Sequence, residues 1–122
     1  MTAAPPPTAL ELHAGALRLA LRPDLGGAIA GFWHDTTPIL RSCEAGELTS
    51  SRPSGCFPMV PYSNRIGYRH FRWHGRDHST APNFDEGNPH SLHGTVWKAA
   101  WQVVSASATQ AELAVTHRGD KH

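Results

Sequence analysis

The sequence predicts an all-β chain, an antiparallel β-sandwich, and three observations predict it. Apolar residues alternate with polar or small ones over 16–21, 69–73 and 111–116, the period of a strand with one buried face. The alternating runs are short and separated by Gly, Pro, Asn, Asp and Ser clusters, the punctuation of a sandwich rather than of helical bundles. No heptad and no internal repeat competes with that reading.

Residues 1–9 form a Pro/Ala tail expected to be disordered, and residues 10–122 form one β-sandwich portion. Leu10-Glu11-Leu12-His13 begins the first strand, Ala14-Gly15 turns, and Ala16 to Leu21 returns, with Leu17, Leu19 and Leu21 on one face. Pro23 and Gly26-Gly27 stop this segment too soon for a helix. Ala28 to Trp33 reads as a third strand, His34-Asp35-Thr36-Thr37 as a polar turn, and residues 42–54 as a loop. Tyr68-Arg69-His70-Phe71-Arg72-Trp73 reads as one arm of a hairpin turning at His74-Gly75, with Phe71 and Trp73 inward and His70 and Arg72 outward. A loop rich in Pro, Gly, Asn and Asp leads to Ser91-Leu92-His93-Gly94. After it, Gln102 to Ala106 and Ala111 to Thr116 form further strands around a turn at Ser107-Ala108-Thr109. Trp73, Trp97 and Trp101 are assigned to the core.

The bulk numbers exclude several function classes. In 122 residues, 11 Lys plus Arg stand against 10 Asp plus Glu, a net charge of +1. That balance makes no electrostatic case for nucleic acid or an anionic membrane. Cys43 and Cys56 are too few for a disulfide framework. The N-terminus has no signal-peptide pattern, and no apolar stretch approaches a membrane span; the expected compartment is the cytoplasm. Nine histidines are the compositional oddity. His70, His74 and His78, four apart, would share a helix face as metal ligands, but the hairpin separates them. No metal and no cofactor is expected, and no phosphate-cradling loop is present.

The stretch from Gly55 to Gly94 carries a resemblance. Phe57-Pro58-Met59-Val60-Pro61-Tyr62-Ser63-Asn64-Arg65-Ile66, the Phe71-x-Trp73-x-Gly75 hairpin and Ser91-Leu92-His93-Gly94 resemble, in order and spacing, the aldose 1-epimerase (galactose mutarotase) family. The resemblance extends more loosely over nearly the whole chain and implies the N-terminal part of a galactose-mutarotase-like supersandwich. It further implies that Arg65 contacts sugar hydroxyls and that His93 binds the ring and assists the chemistry. Asn64 and His90 are added as sugar-binding candidates by position. Each has a plain alternative: Asn64 as a turn cap, Arg65 as a surface loop arginine, and the histidines as structural residues. The chemistry itself suits these types. Opening a sugar ring needs a base at the anomeric hydroxyl and an acid at the ring oxygen; histidine can be either, and arginine's planar fork holds hydroxyls.

The family domain is more than twice this length, and its second catalytic histidine and catalytic glutamate fall later than residue 122. The resemblance therefore implies sugar binding, with α/β-anomer interconversion incomplete in this chain alone. Two alternatives stand beside it: a non-catalytic carbohydrate-binding module, and a His-rich metal-binding or scaffold domain. The last strand, 111–116, lacks an expected neighbour, so either self-association through an open sheet edge or marginal stability is expected.

Overall fold

The computed structural model describes residues 9–120; the proposed tail up to residue 8 and the final two residues lie outside them. Ala9, assigned to the tail, packs against the core. The chain divides into two compact units, Met1–Pro58 with Val96–Val115, and Met59–Thr95 with Thr116–His122. Strands occur in both and every strand pair is antiparallel. The described residues contain no α-helix, only three short 3-10 turns, so the all-β expectation holds.

The first unit is built on a four-stranded sheet in the order β1 (Leu10–Ala14), β2 (Leu17–Arg22), β3 (Ala28–His34) and β4 (Thr37–Pro38). The register shifts between Ala20 and Leu21, a bulge that re-aims the strand toward its end. The core lies on the alanine face: Ala20, Ala28, Ala30, Trp33, Ala45 and Leu48 cluster together. Small side chains let Trp33 and the 45–48 loop close directly onto the sheet. On the opposite face Leu12, Leu17, Leu19 and Phe32 line an open cavity of about 190 Å³ instead. Leucine alternation thus marked a real strand, while the tightest packing fell on its other side.

Arg22 ties this core to the 3-10 turn Ala45–Glu47. Its Nε and Nη2 donate to the two carboxylate oxygens of Asp24 at 2.8 and 2.7 Å, and Nη1 donates to the carbonyls of Ala45 and Leu48 at 2.7 and 3.0 Å. Every arm of the buried guanidinium is therefore matched, which is what makes burying it tolerable. Arg18 lies 3.8 Å above the Trp33 ring and bridges to Glu44. That contact raises the Arg18 guanidinium's affinity for its proton and holds the Glu44 carboxyl below its ordinary range.

The Pro23–Gly27 connection receives the segment after residue 95. Gly26 has φ +68° and a Cβ there would overlap the Trp97 backbone, so only glycine fits both demands. Gly26 N–H donates to Ala99 O, Trp101 N–H to Pro23 O, and Ser51 Oγ to Trp97 O. Trp97 is buried and Trp101 half-buried, in keeping with core roles. β9 (Gln102–Ala106) and β10 (Ala111–Ala114) form a separate hairpin, whose turn accepts the His13 N–H of β1 at Ala108 O.

The second unit contains β5 (Arg65–Ile66) paired with β8 (Ser91–Leu92), and β6 (His70–Trp73) paired with β7 (Arg76–Ser79). Here one expectation is corrected. Phe71 and Trp73 are 41% and 64% exposed, not buried, and all eight residues of the β6–β7 ribbon face solvent. Alternation decides which side of a ribbon is apolar, but burial also needs a covering layer, and none lies over it among the described residues. Phe71 instead stacks on His78 opposite it, at 5.2 Å, and His70 and Arg72 meet Asp77 on the other face.

Candidate functional site

The β5–β8 ladder is two residues long, pairing Arg65 with Leu92 and Ile66 with Ser91. It places the Asn64-Arg65 and His93 segments side by side. Beyond the ladder the two chains lock reciprocally: His93 N–H donates to Asn64 O at 2.8 Å, and Asn64 N–H donates to His93 Nδ1 at 3.1 Å. Asn64 Oδ1 also accepts the Arg65 N–H at 3.0 Å. Both locked residues sit in the left-handed region, Asn64 at φ 62° and His93 at φ 57°. Asparagine tolerates that conformation, whereas for most L-residues it costs about 1–2 kcal/mol. Strain of this kind persists where the surroundings over-determine it.

The lock fixes the histidine's proton. Because Nδ1 accepts from a backbone amide, the neutral His93 ring carries its hydrogen on Nε2. His90 is set in the same way by a different amide, Tyr68 N–H to His90 Nδ1 at 2.8 Å, with the Tyr68 ring edge-on at 4.9 Å. Its own N–H donates to Asn88 Oδ1. In each neutral ring the lone pair of Nδ1 is engaged by the main chain, so the ring hydrogen sits on Nε2. Such rings donate hydrogen bonds to hydroxyl or ether oxygens. They are not arranged to take a proton in that state.

Around this pair the support is polar. Tyr62 donates to Ser91 Oγ at 2.8 Å, and Ser91, fully buried, lies 2.6 Å from Thr80 Oγ1. Asn83 Nδ2 donates to Leu92 O at 2.7 Å and Gly94 O at 2.8 Å, while its Oδ1 accepts the Leu92 N–H at 2.8 Å. Gly94, at φ +71°, presses on the Val60 carbonyl, and Thr95 N–H donates to that same oxygen. Tyr62, Thr80, Asn83 and Thr95 line a cavity of about 120 Å³ in this unit.

Of the four residues singled out by sequence, Asn64 and His93 are in direct contact, and Arg65 occupies the ladder between them and Ile66. The Arg65 guanidinium lies 5.5 Å over the Phe84 ring and the residue is exposed. His90 is anchored separately at Tyr68. Asn83 carried no signal in the sequence, one asparagine in a loop of turn formers. Tyr62 and Ser91 lie inside the quoted stretches, but their hydroxyl chain with Thr80 is a tertiary fact. Among the described residues no group of three or more His, Cys, Asp or Glu could hold a metal ion. No helix among them is long and apolar enough to cross a membrane.

Comparison with known proteins gives a consistent set of relatives. The family model for aldose 1-epimerase matches residues 8–122. The uncharacterised protein YphB of Escherichia coli (strain K12) is 40% identical over 111 residues, covering 91% of this chain and 37% of that protein. A crystal structure of a provisionally named aldose 1-epimerase from Escherichia coli K12 superposes with a TM-score of 0.80 at 39% identity, covering 92% of this chain and 37% of the other. A galactose mutarotase-like protein from Clostridium acetobutylicum shares the fold, with a TM-score of 0.63 at 22% identity over 86% of this chain and 33% of its own. The chain thus spans 33–37% of the length of these proteins.

Proposed function

The chain belongs to the aldose 1-epimerase family, and from that premise we propose that it binds a hexose through Arg65, Asn64, His93 and His90 and serves the interconversion of the sugar's α and β anomers. The observation that carries this reading is the reciprocal lock of Asn64 and His93, which fixes the His93 ring hydrogen on Nε2 in a segment laddered to the one carrying the exposed Arg65. In mutarotation the ring oxygen gains a proton as the anomeric hydroxyl loses one, the ring opens, the bond rotates, and the ring recloses. An Nε2–H imidazole suits the ring-oxygen side of that exchange. Arg65 suits the hydroxyls, since its fork stays charged and donates several bonds.

The proton acceptor is the missing part. Neither His93 nor His90 offers it in the neutral state described above. We place the acceptor outside these residues, in keeping with a chain that spans 37% of its Escherichia coli relative. In this proposal the chain by itself binds sugar and adds little or no rate. A non-catalytic carbohydrate-binding module is the second reading, favoured by the same donor-only histidines.

Titration with galactose and glucose, followed by polarimetry of anomer exchange, tests both. Arg65→Ala should weaken binding by about 1–3 kcal/mol, the usual worth of hydrogen bonds to a charged group. Unchanged affinity in Arg65→Ala would remove Arg65 from the site. Anomer exchange well above the buffer rate by this chain alone would show that it supplies its own acceptor.

A further inference from the structure

We propose that Asn83 is a positioning residue for His93, fixing the ring that the sugar-binding reading above assigns to the substrate. Asn83 lies outside both segments of the lock, yet its carboxamide is committed to the main chain of the two residues that flank His93. Nδ2 donates to the carbonyl before His93, that of Leu92, and to the carbonyl after it, that of Gly94, at 2.7 and 2.8 Å. Oδ1 accepts the Leu92 N–H at 2.8 Å. One planar amide thus fastens both sides of a residue held at φ 57°.

That conformation is what His93 would leave first. The left-handed region is disfavoured for an L-residue, and relaxation would swing Nδ1 away from the Asn64 amide. Three hydrogen bonds from a half-buried carboxamide oppose it. Leu92 is buried on one side of the histidine and Gly94 on the other, so the carbonyls concerned have little access to water as an alternative partner. The clamp therefore acts on the proton: it keeps Nδ1 an acceptor and Nε2 the hydrogen carrier.

The test is a ¹⁵N spectrum of the imidazole rings in the full chain, which reports tautomers directly. Wild type should show His93 and His90 as single Nε2–H forms. In Asn83→Ala, His93 should become a mixture of both tautomers while His90 stays unchanged, because Tyr68 and Asn88 hold it independently. Asn83→Asp keeps the acceptor for Leu92 N–H but sets a carboxylate against two carbonyls, and should shift His93 further. A folded Asn83→Ala with His93 unaltered, or with both histidines altered alike, overturns the proposal.

Wild-type hydrogen exchange gives a second measurement independent of whether the variants fold. The Leu92 and Asn64 amides should open together, and an Asn64 amide exchanging more than tenfold faster than Leu92 would contradict a coupled clamp. The ring spectrum decides the role of Asn83 with no sugar present. A galactose titration, expected to weaken about tenfold in Asn83→Ala, decides separately whether His93 faces sugar.

Discussion

Gly94→Ala should destabilise the second unit by an amount that the backbone geometry allows to be divided in two. Gly94 has φ +71°, and an alanine there pays for the left-handed conformation, about 1–2 kcal/mol. The new Cβ would also overlap the Val60 carbonyl and the Pro61 nitrogen. These are main-chain atoms, which cannot rotate aside as a flexible side chain would, and overpacking of this kind costs about 1–3 kcal/mol. Together the terms amount to about 2–5 kcal/mol, a large share of the stability of an ordinary domain, about 5–15 kcal/mol. Gly75→Ala supplies the control, since Gly75 has φ +75° but nothing within 4 Å of the added carbon. It should show the conformational cost alone. Denaturant midpoints of the two variants, with exchange of the Thr95 amide that bonds Val60 O, measure the difference. If Gly94→Ala and Gly75→Ala agree within about 0.5 kcal/mol, the ordinary scatter of neutral substitutions, the contact with Val60 has no energetic meaning and the reasoning fails.

Two further outcomes follow from the first unit. Arg22→Met should lower stability by about 2–4 kcal/mol, at or below the usual cost of breaking a buried ion pair because Asp24 keeps 28% of its side-chain surface exposed; a change under 1 kcal/mol in urea melts would mean the Ala45 and Leu48 carbonyls find other donors. Glu44 is held below its ordinary value, about 4.3, chiefly by the hydrogen bonds from Arg18. Its contribution is therefore complete above that value and disappears as pH falls through the lower folded one. Glu44→Gln should flatten the acid limb of the melting curve there, modestly, because the pair is largely exposed, and an acid limb identical to wild type would count against the pair.

How much of this was legible in the sequence depends on what each signal encodes. Alternation at 16–21 and the stops at Pro23 and Gly26-Gly27 located β1 to β3 because strand period and turn chemistry are local properties. The packed face was not local. Leu17 stays 37% exposed while Ala20 is 1% exposed, since burial was settled by Trp33, Ala45 and Leu48 arriving from elsewhere in the chain. Phe71 and Trp73 failed for the same reason, their apolar side having no layer over it among the described residues. The site was half visible. The Asn64-Arg65 and Leu92-His93-Gly94 segments stood out, but the direction of the histidine proton rests on two backbone amides, and Asn83 reaches its targets only after folding.

The Asn64–His93 lock also governs which letters each position can exchange. From Asn64 the lock takes only main-chain groups, which every residue except proline brings, so the lock by itself limits that position only through its backbone. That limit is set by φ 62°: glycine, asparagine and aspartate adopt it readily. Position 93 is the reverse. Its φ of 57° favours glycine, while the acceptor that meets the Asn64 amide is a ring nitrogen. A saturation library at position 64, scored for the His93 ring tautomer, should therefore return glycine, asparagine and aspartate. A residue retained where its own backbone resists it is kept for what its side chain does.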